Sequence, residues 1–119
     1  MGRVRVGFRL QVRPELIEQY RDVHSPVRRD MLEAIAASGR RNYSLFLDDT
    51  DGSLFGYYEV DDDATAQASL AASTVATEWE SEMRHFFFPN TSTEQPVRAD
   101  QAARRLYEVF NLHDQIEST

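Results

Sequence analysis

A chain of 119 residues is the size of one compact domain, and 41% hydrophobic with 11% aromatic residues is enough to build a core, which excludes a disordered chain. A net charge of −7 argues against a nucleic-acid groove or an anionic membrane surface, both of which reward Lys and Arg. The absence of cysteine removes disulfides, thiol catalysis and thiolate metal sites together.

The opening MGRVRVGFRLQV alternates charged with apolar residues, lacks the apolar centre of a secretion signal, and no run of apolar residues approaches membrane-spanning length. A cytoplasmic protein with no membrane partner is expected. From Val4 to Val12 the even positions Val4, Val6, Phe8, Leu10 and Val12 are apolar, which predicts a strand of period two. Pro14 and Glu15 suit the start of a helix whose stripe is Leu16, Ile17, Tyr20, Val23, His24 and Val27. Pro26 lacks the amide hydrogen the ladder needs, so one helix bent at Ser25-Pro26 is expected, resuming through Met31, Ala34 and Ile35 to Gly39.

Asn42 to Asp48 and Ser53 to Val60 are rich in aromatic and branched residues, and Asp-Asp-Thr-Asp-Gly joins them as a hairpin. The acidic run Asp61 to Asp63 opens an alanine-rich helix to about Ala72. Ser73-Thr74 caps a further helix, on which Val75, Trp79, Met83, Phe86 and Phe87 recur up to Pro89. Residues 90–103 are polar and irregular and predict a long loop, Arg105 to Leu112 a last strand, and residues 114–119 a flexible C-terminal tail after a single domain spanning 1–113.

Strand, helix, strand, strand, helix, strand is the split βαβ order, so an α+β ferredoxin-like (βαββαβ) sandwich is expected. Helices then cover one sheet face; the other carries either the odd or the even set of each strand, and both sets contain large apolar groups such as Phe55, Tyr57, Leu106 and Phe110. A second copy is the cheapest cover, which predicts a homodimer.

No Gly-rich phosphate loop, metal-spaced His cluster or Ser-His-Asp signature is present, so neither cofactor nor metal is expected. His113, near a chain end, reads as exposed, and His85 as a charge at the negative end of a helix. In EQYRDVHSPV, residues 18–27, Tyr20 and His24 lie four apart and share one helix face. By themselves they read first as a core His satisfied by a Tyr hydroxyl and second as part of a site, since a single Tyr-x-x-x-His is a weak signal.

Y-x-x-x-H-x-P on the first helix, G-x-x-N-Y-x-x-x-L-D leading the second strand, the Trp-bearing segment STVATEWESEM and a closing L-x-E-V-F resemble, in residues and order, the L-rhamnose mutarotase family. The resemblance runs from about Phe8 to Leu112. It implies a dimeric α/β barrel that interconverts the α and β anomers of L-rhamnose or a related deoxy sugar with no cofactor. By match of motif, His24 takes the proton-donor position, and Tyr20, Tyr43 and Trp79 take sugar-contacting positions.

Those residue types suit the chemistry. Anomer exchange opens the pyranose by protonating the ring oxygen and deprotonating the anomeric hydroxyl, and histidine titrates near pH 7. A Tyr can hold a sugar hydroxyl, and a Trp face suits the C–H side and methyl of a deoxy sugar. Three positions depart from the family pattern: Ser25 replaces the Asn of His-Asn-Pro, Arg28 an aromatic residue, and Glu80 the second Trp of a Trp-Trp pair. A carboxylate at Glu80 exchanges stacking for hydrogen bonding in the substrate pocket, which leaves a different sugar or a lost activity as the two expected consequences. Two other readings stay open from sequence: a cofactor-free monooxygenase-like enzyme of the same dimeric class, which wants an apolar pocket, and a non-catalytic small-ligand-binding dimer.

Overall fold

The computed structural model describes residues 4–87 and 103–118. It is an α+β structure whose one sheet has four antiparallel strands in the order β2-β3-β1-β4, with five α-helices among the described residues. The strands are β1 (Val4–Gln11), β2 (Arg41–Leu47), β3 (Ser53–Val60) and β4 (Arg104–Leu106). The helices are α1 (Ile17–Val23), α2 (Arg29–Ser38), α3 (Asp63–Ala72), α4 (Thr74–Met83) and α5 (Leu112–Ser118).

The period-two alternation of β1 decides which face is buried. Val6, Phe8 and Leu10 stand opposite Tyr58, Gly56 and Leu54 of β3 and point toward the helices. Leu54, Val6, Val12 and Val60 are each less than 2% exposed, and such burial contributes about 1.5–3 kcal/mol per side chain. Tyr20 of α1 and Met83 of α4 pack over Val12 and Leu54, while Ala66 of α3 packs over Val6, Phe8 and Val60. Met31, Leu70 and Ala76 seal α2, α3 and α4 to one another. The opposite face holds Phe46 paired with Phe55, and Gly7 flanked by Tyr57 and Leu106. Phe46 and Phe55 are 65% and 43% exposed there.

Local chemistry explains most boundaries. The Asp62 carboxylate accepts from the Thr65 amide and the Ser73 hydroxyl oxygen from the Ala76 amide, so α3 and α4 each begin on a side-chain cap. Gly39, at φ 99°, ends α2 in the left-handed region, and Gly52, at φ 84°, closes the β2–β3 turn.

Three expectations are corrected. The first helical stretch is not one bent helix: a 3₁₀ turn (Pro14–Leu16) leads into α1, the chain breaks at His24–Arg28 across a cis Ser25-Pro26 peptide, and α2 starts afresh. Proline withholds the amide that a continuous ladder would need there. The last strand is only three residues long; beyond Leu106 the chain meets β1 through side chains, the Glu108 carboxylate accepting from Arg5 Nε at 2.8 Å. Leu112–Ser118 is helical rather than irregular, with the Asn111 side chain accepting from the Asp114 amide and Arg5 paired with Asp114. The loop expected over residues 90–103 lies outside the described residues except for Ala103. Among the described residues no helix is long and apolar enough to cross a membrane.

Candidate functional site

Between the helices and the buried sheet face lies a cavity of about 390 Å³. Its floor is the alternating face of β1, Val6, Phe8 and Leu10, and its walls come from α1, α4, β2 and the start of α3. All five side chains singled out from sequence, Tyr20, His24, Tyr43, Trp79 and Glu80, line it.

The four-residue spacing on α1 brings the Tyr20 and His24 rings to 4.2 Å between centroids. Tyr20 is both core and wall: it is 5% exposed, with Phe86 and Phe87 packed edge-on at 5.4 and 5.8 Å. His24 follows the last residue of α1, where the helix has run out, and Trp79 of α4 meets its ring edge-on at 5.5 Å. His24 Nδ1 lies 2.8 Å from the Tyr20 carbonyl oxygen. A carbonyl only accepts, so Nδ1 carries the proton and donates it, which leaves the lone pair of the neutral ring on Nε2.

Burial holds the His24 pKa below its ordinary value, the Tyr20 carbonyl opposing in part, so the neutral imidazole is favoured. The Tyr20 phenol is pushed up, first by burial and then by Tyr43 and Glu80, and remains protonated.

Tyr43 reaches the cavity because β2 is irregular where it begins. The register slips between Arg41 and Ser44, Asn42 takes φ 51°, a left-handed value that Asn tolerates, and its amide nitrogen donates to Glu59 at 2.9 Å. Tyr43 then stacks on Tyr58 at 5.2 Å and meets Phe8 edge-on at 6.2 Å.

A second group of lining residues was not singled out from sequence. The Arg40 side chain, with its residue only 8% exposed, crosses the Tyr58 ring at 4.4 Å and donates from Nη2 to Asp63 at 3.0 Å and to Gln67 at 3.1 Å. The Tyr58 hydroxyl and Arg105 Nη2 each donate to the Asp63 carboxylate at 2.9 Å. Burial pushes the Tyr58 phenol up, Arg40 opposing and Asp63 adding to the rise. The alternation of β3 does put Tyr58 in phase with buried Val60, but Asp63 reads locally as a helix-start acid, and nothing near Arg40 or Arg105 in sequence announces their meeting.

Among the described residues no three His, Asp or Glu side chains are arranged to hold a metal ion. His113 and His85 are both exposed and lie away from the cavity lining.

The model of the L-rhamnose mutarotase family matches residues 5–112. The chain belongs to the L-rhamnose mutarotase family. It is accordingly an enzyme that isomerises carbohydrates. The L-rhamnose mutarotase of Oceanobacillus iheyensis is 31% identical over 108 residues, covering 91% of this chain and 97% of that protein. That of Ligilactobacillus salivarius is 36% identical over 112 residues, covering 92% and 97%. The crystal structure of the L-rhamnose mutarotase of Formosa agariphila superposes with a TM-score of 0.69 at 22% identity, covering 91% of this chain and 97% of that one, a likeness of fold.

Proposed function

We propose that the chain interconverts the α and β anomers of L-rhamnose or a related deoxy sugar, with His24 moving the proton and Tyr20, Tyr43, Trp79 and Glu80 holding the ring. The observation that carries this reading is the half-buried His24, whose Nδ1 lies 2.8 Å from the Tyr20 carbonyl oxygen and which lines a cavity of about 390 Å³. Nε2 is then the base. It takes the proton of the anomeric hydroxyl while the C1–O5 bond breaks and C1=O1 forms. The imidazolium returns that proton to O5, and rotation about C1–C2 presents the other carbonyl face to the O5 hydroxyl for reclosure. Charge and atoms balance within this cycle.

Trp79 and Tyr43 offer aromatic faces for the C–H side of a sugar, and Glu80 offers acceptors for hydroxyls. The cysteine-free composition is consistent with a cytoplasmic setting. In this reading the fold is the ferredoxin-like half of a dimeric barrel, supported by the antiparallel β2-β3-β1-β4 order and by the apolar side chains on the face away from the helices. The monooxygenase-like alternative wants an apolar pocket, and a lining that includes His24, Glu80, Arg40 and Asp63 does not favour it.

Anomeric exchange spectroscopy by NMR on free sugars tests the proposal. Sub-stoichiometric protein is expected to accelerate α/β exchange of L-rhamnose or another deoxy sugar above the spontaneous rate. Exchange left at the spontaneous rate across a panel of free aldoses would sink it.

A further inference from the structure

The cavity has two chemically distinct ends. Tyr20, His24, Trp79 and Glu80 form one; Arg40, Tyr58, Asp63 and Arg105 form the other. The second end does more than a structural ion pair requires. Its Asp63 carboxylate already accepts from Arg40 Nε and Nη2, from the Tyr58 hydroxyl and from Arg105 Nη2, so both oxygens are engaged. Two guanidinium groups, those of Arg40 and Arg105, face the one carboxylate of Asp63. No described hydrogen bond takes up Arg40 Nη1 or the Nε and Nη1 of Arg105, so the capacity left over is for donating only. Arg40 cannot swing out to water: its stem is buried and its plane is held over Tyr58 at 4.4 Å. Spare donors on the buried Arg40 and on Arg105 at the cavity's open side are matched by a group that accepts, carries negative charge and is planar. The methyl of a deoxy sugar is none of these.

We propose that the Arg40–Arg105 end of the cavity binds a carboxylate, so that an aldose bearing one, of the hexuronic acid class, is a ligand of this chain. The proposal rests on the mutarotase reading of the same cavity, because it sets the anomeric carbon at the His24 end.

The test uses the whole chain with glucuronate, galacturonate and their uncharged methyl esters as probes. Saturation-transfer NMR reads binding and anomeric exchange reads turnover, with L-rhamnose in parallel. Each acid is expected to bind about tenfold more tightly than its ester, the scale of one charge-assisted hydrogen bond, and Arg105→Gln is expected to abolish that ratio. Added salt should shrink it. An acid bound no better than its ester overturns the assignment, as does a ratio that survives Arg105→Gln. Arg105 is 62% exposed at its side chain, so the variant should fold, and a melting scan verifies it. A merely structural Arg105 would lower the melting temperature and leave the acid-to-ester ratio unchanged, which also counts against the proposal. L-rhamnose exchanged without any preference for the acids sinks this inference alone; acids preferred without exchange of any sugar sinks the mutarotase reading alone.

Discussion

His24 owes its chemistry to the end of a helix. One turn earlier, the Tyr20 carbonyl has no amide to accept from within a continuing ladder, and the imidazole Nδ1–H fills that role at 2.8 Å. Asparagine in place of His24 keeps a donor for that carbonyl and removes the base. His24→Asn is therefore expected to leave the melting temperature nearly unchanged while anomer exchange falls by ~10²-fold or more. A wild-type rate in that variant, followed by NMR exchange, would return Tyr20 and His24 to the role of a packed pair. The lowered pKa of His24 sets the pH dependence. The folded protein binds this proton less readily than the unfolded chain, so the group's contribution to stability is fully present above the ordinary imidazole value and is lost as pH falls through the folded value. Exchange should follow the same sign, holding steady as pH drops past the ordinary value of 6.5 and declining only below it. A rate that halves at or above the ordinary value would show that burial does not govern this group.

At the scale of elements, the cavity exists because β3 carries a glycine where β1 carries a phenylalanine. Phe8 stands opposite Gly56, and a Cβ built on Gly56 would fall within the Phe8 ring. The ring lies flat over the glycine and becomes the floor on which Tyr43 and Tyr58 rest. Gly56→Ala should displace Phe8 toward Tyr43, costing about 1–3 kcal/mol as overpacking and narrowing the cavity. Urea unfolding with an unshifted midpoint would show that the sheet absorbs the methyl elsewhere. Element order and helix caps were legible in the sequence because each is written in a few adjacent residues: Asp62 with Thr65, Ser73 with Ala76. The break between α1 and α2 was legible at Pro26, but its depth was not. The length of β4 was illegible, since L-x-E-V-F is as good a strand as any by pattern, and pairing beyond Leu106 depends on where Gly7 and Arg5 lie in the folded sheet.

Among the described residues, one sheet face is covered by helices and the other is bare. Phe46, Phe55 and Leu106 are 65%, 43% and 39% exposed on the side away from the helices, and Tyr107 and Phe110 just beyond β4 are 89% and 60% exposed. Apolar groups gathered on one side in this way mark a surface that another body covers. A homodimer built across this face should sediment as such at micromolar concentration. Phe46→Glu, which sets a charge on this face, should yield monomer with the helical face and its cavity intact. A wild-type protein that sediments only as monomer would leave the bare face to a different partner.

Local pattern was sufficient for what depends on short stretches of chain. Period two marked β1, cap residues marked the starts of α3 and α4, and a four-residue spacing put Tyr20 and His24 on one face, because propensity and periodicity act over a few neighbours. Motif resemblance added Tyr43, Trp79 and Glu80, and these line the same cavity. The Arg40–Asp63–Arg105 end was decided by tertiary structure alone. Asp63 draws in Arg40 from 23 residues before it and Arg105 from 42 residues after it. That meeting depends on the left-handed Gly39 turning the chain into β2, and on β4 returning to pair beside β1. Both charges look like ordinary surface arginines until the sheet register sets them over one carboxylate.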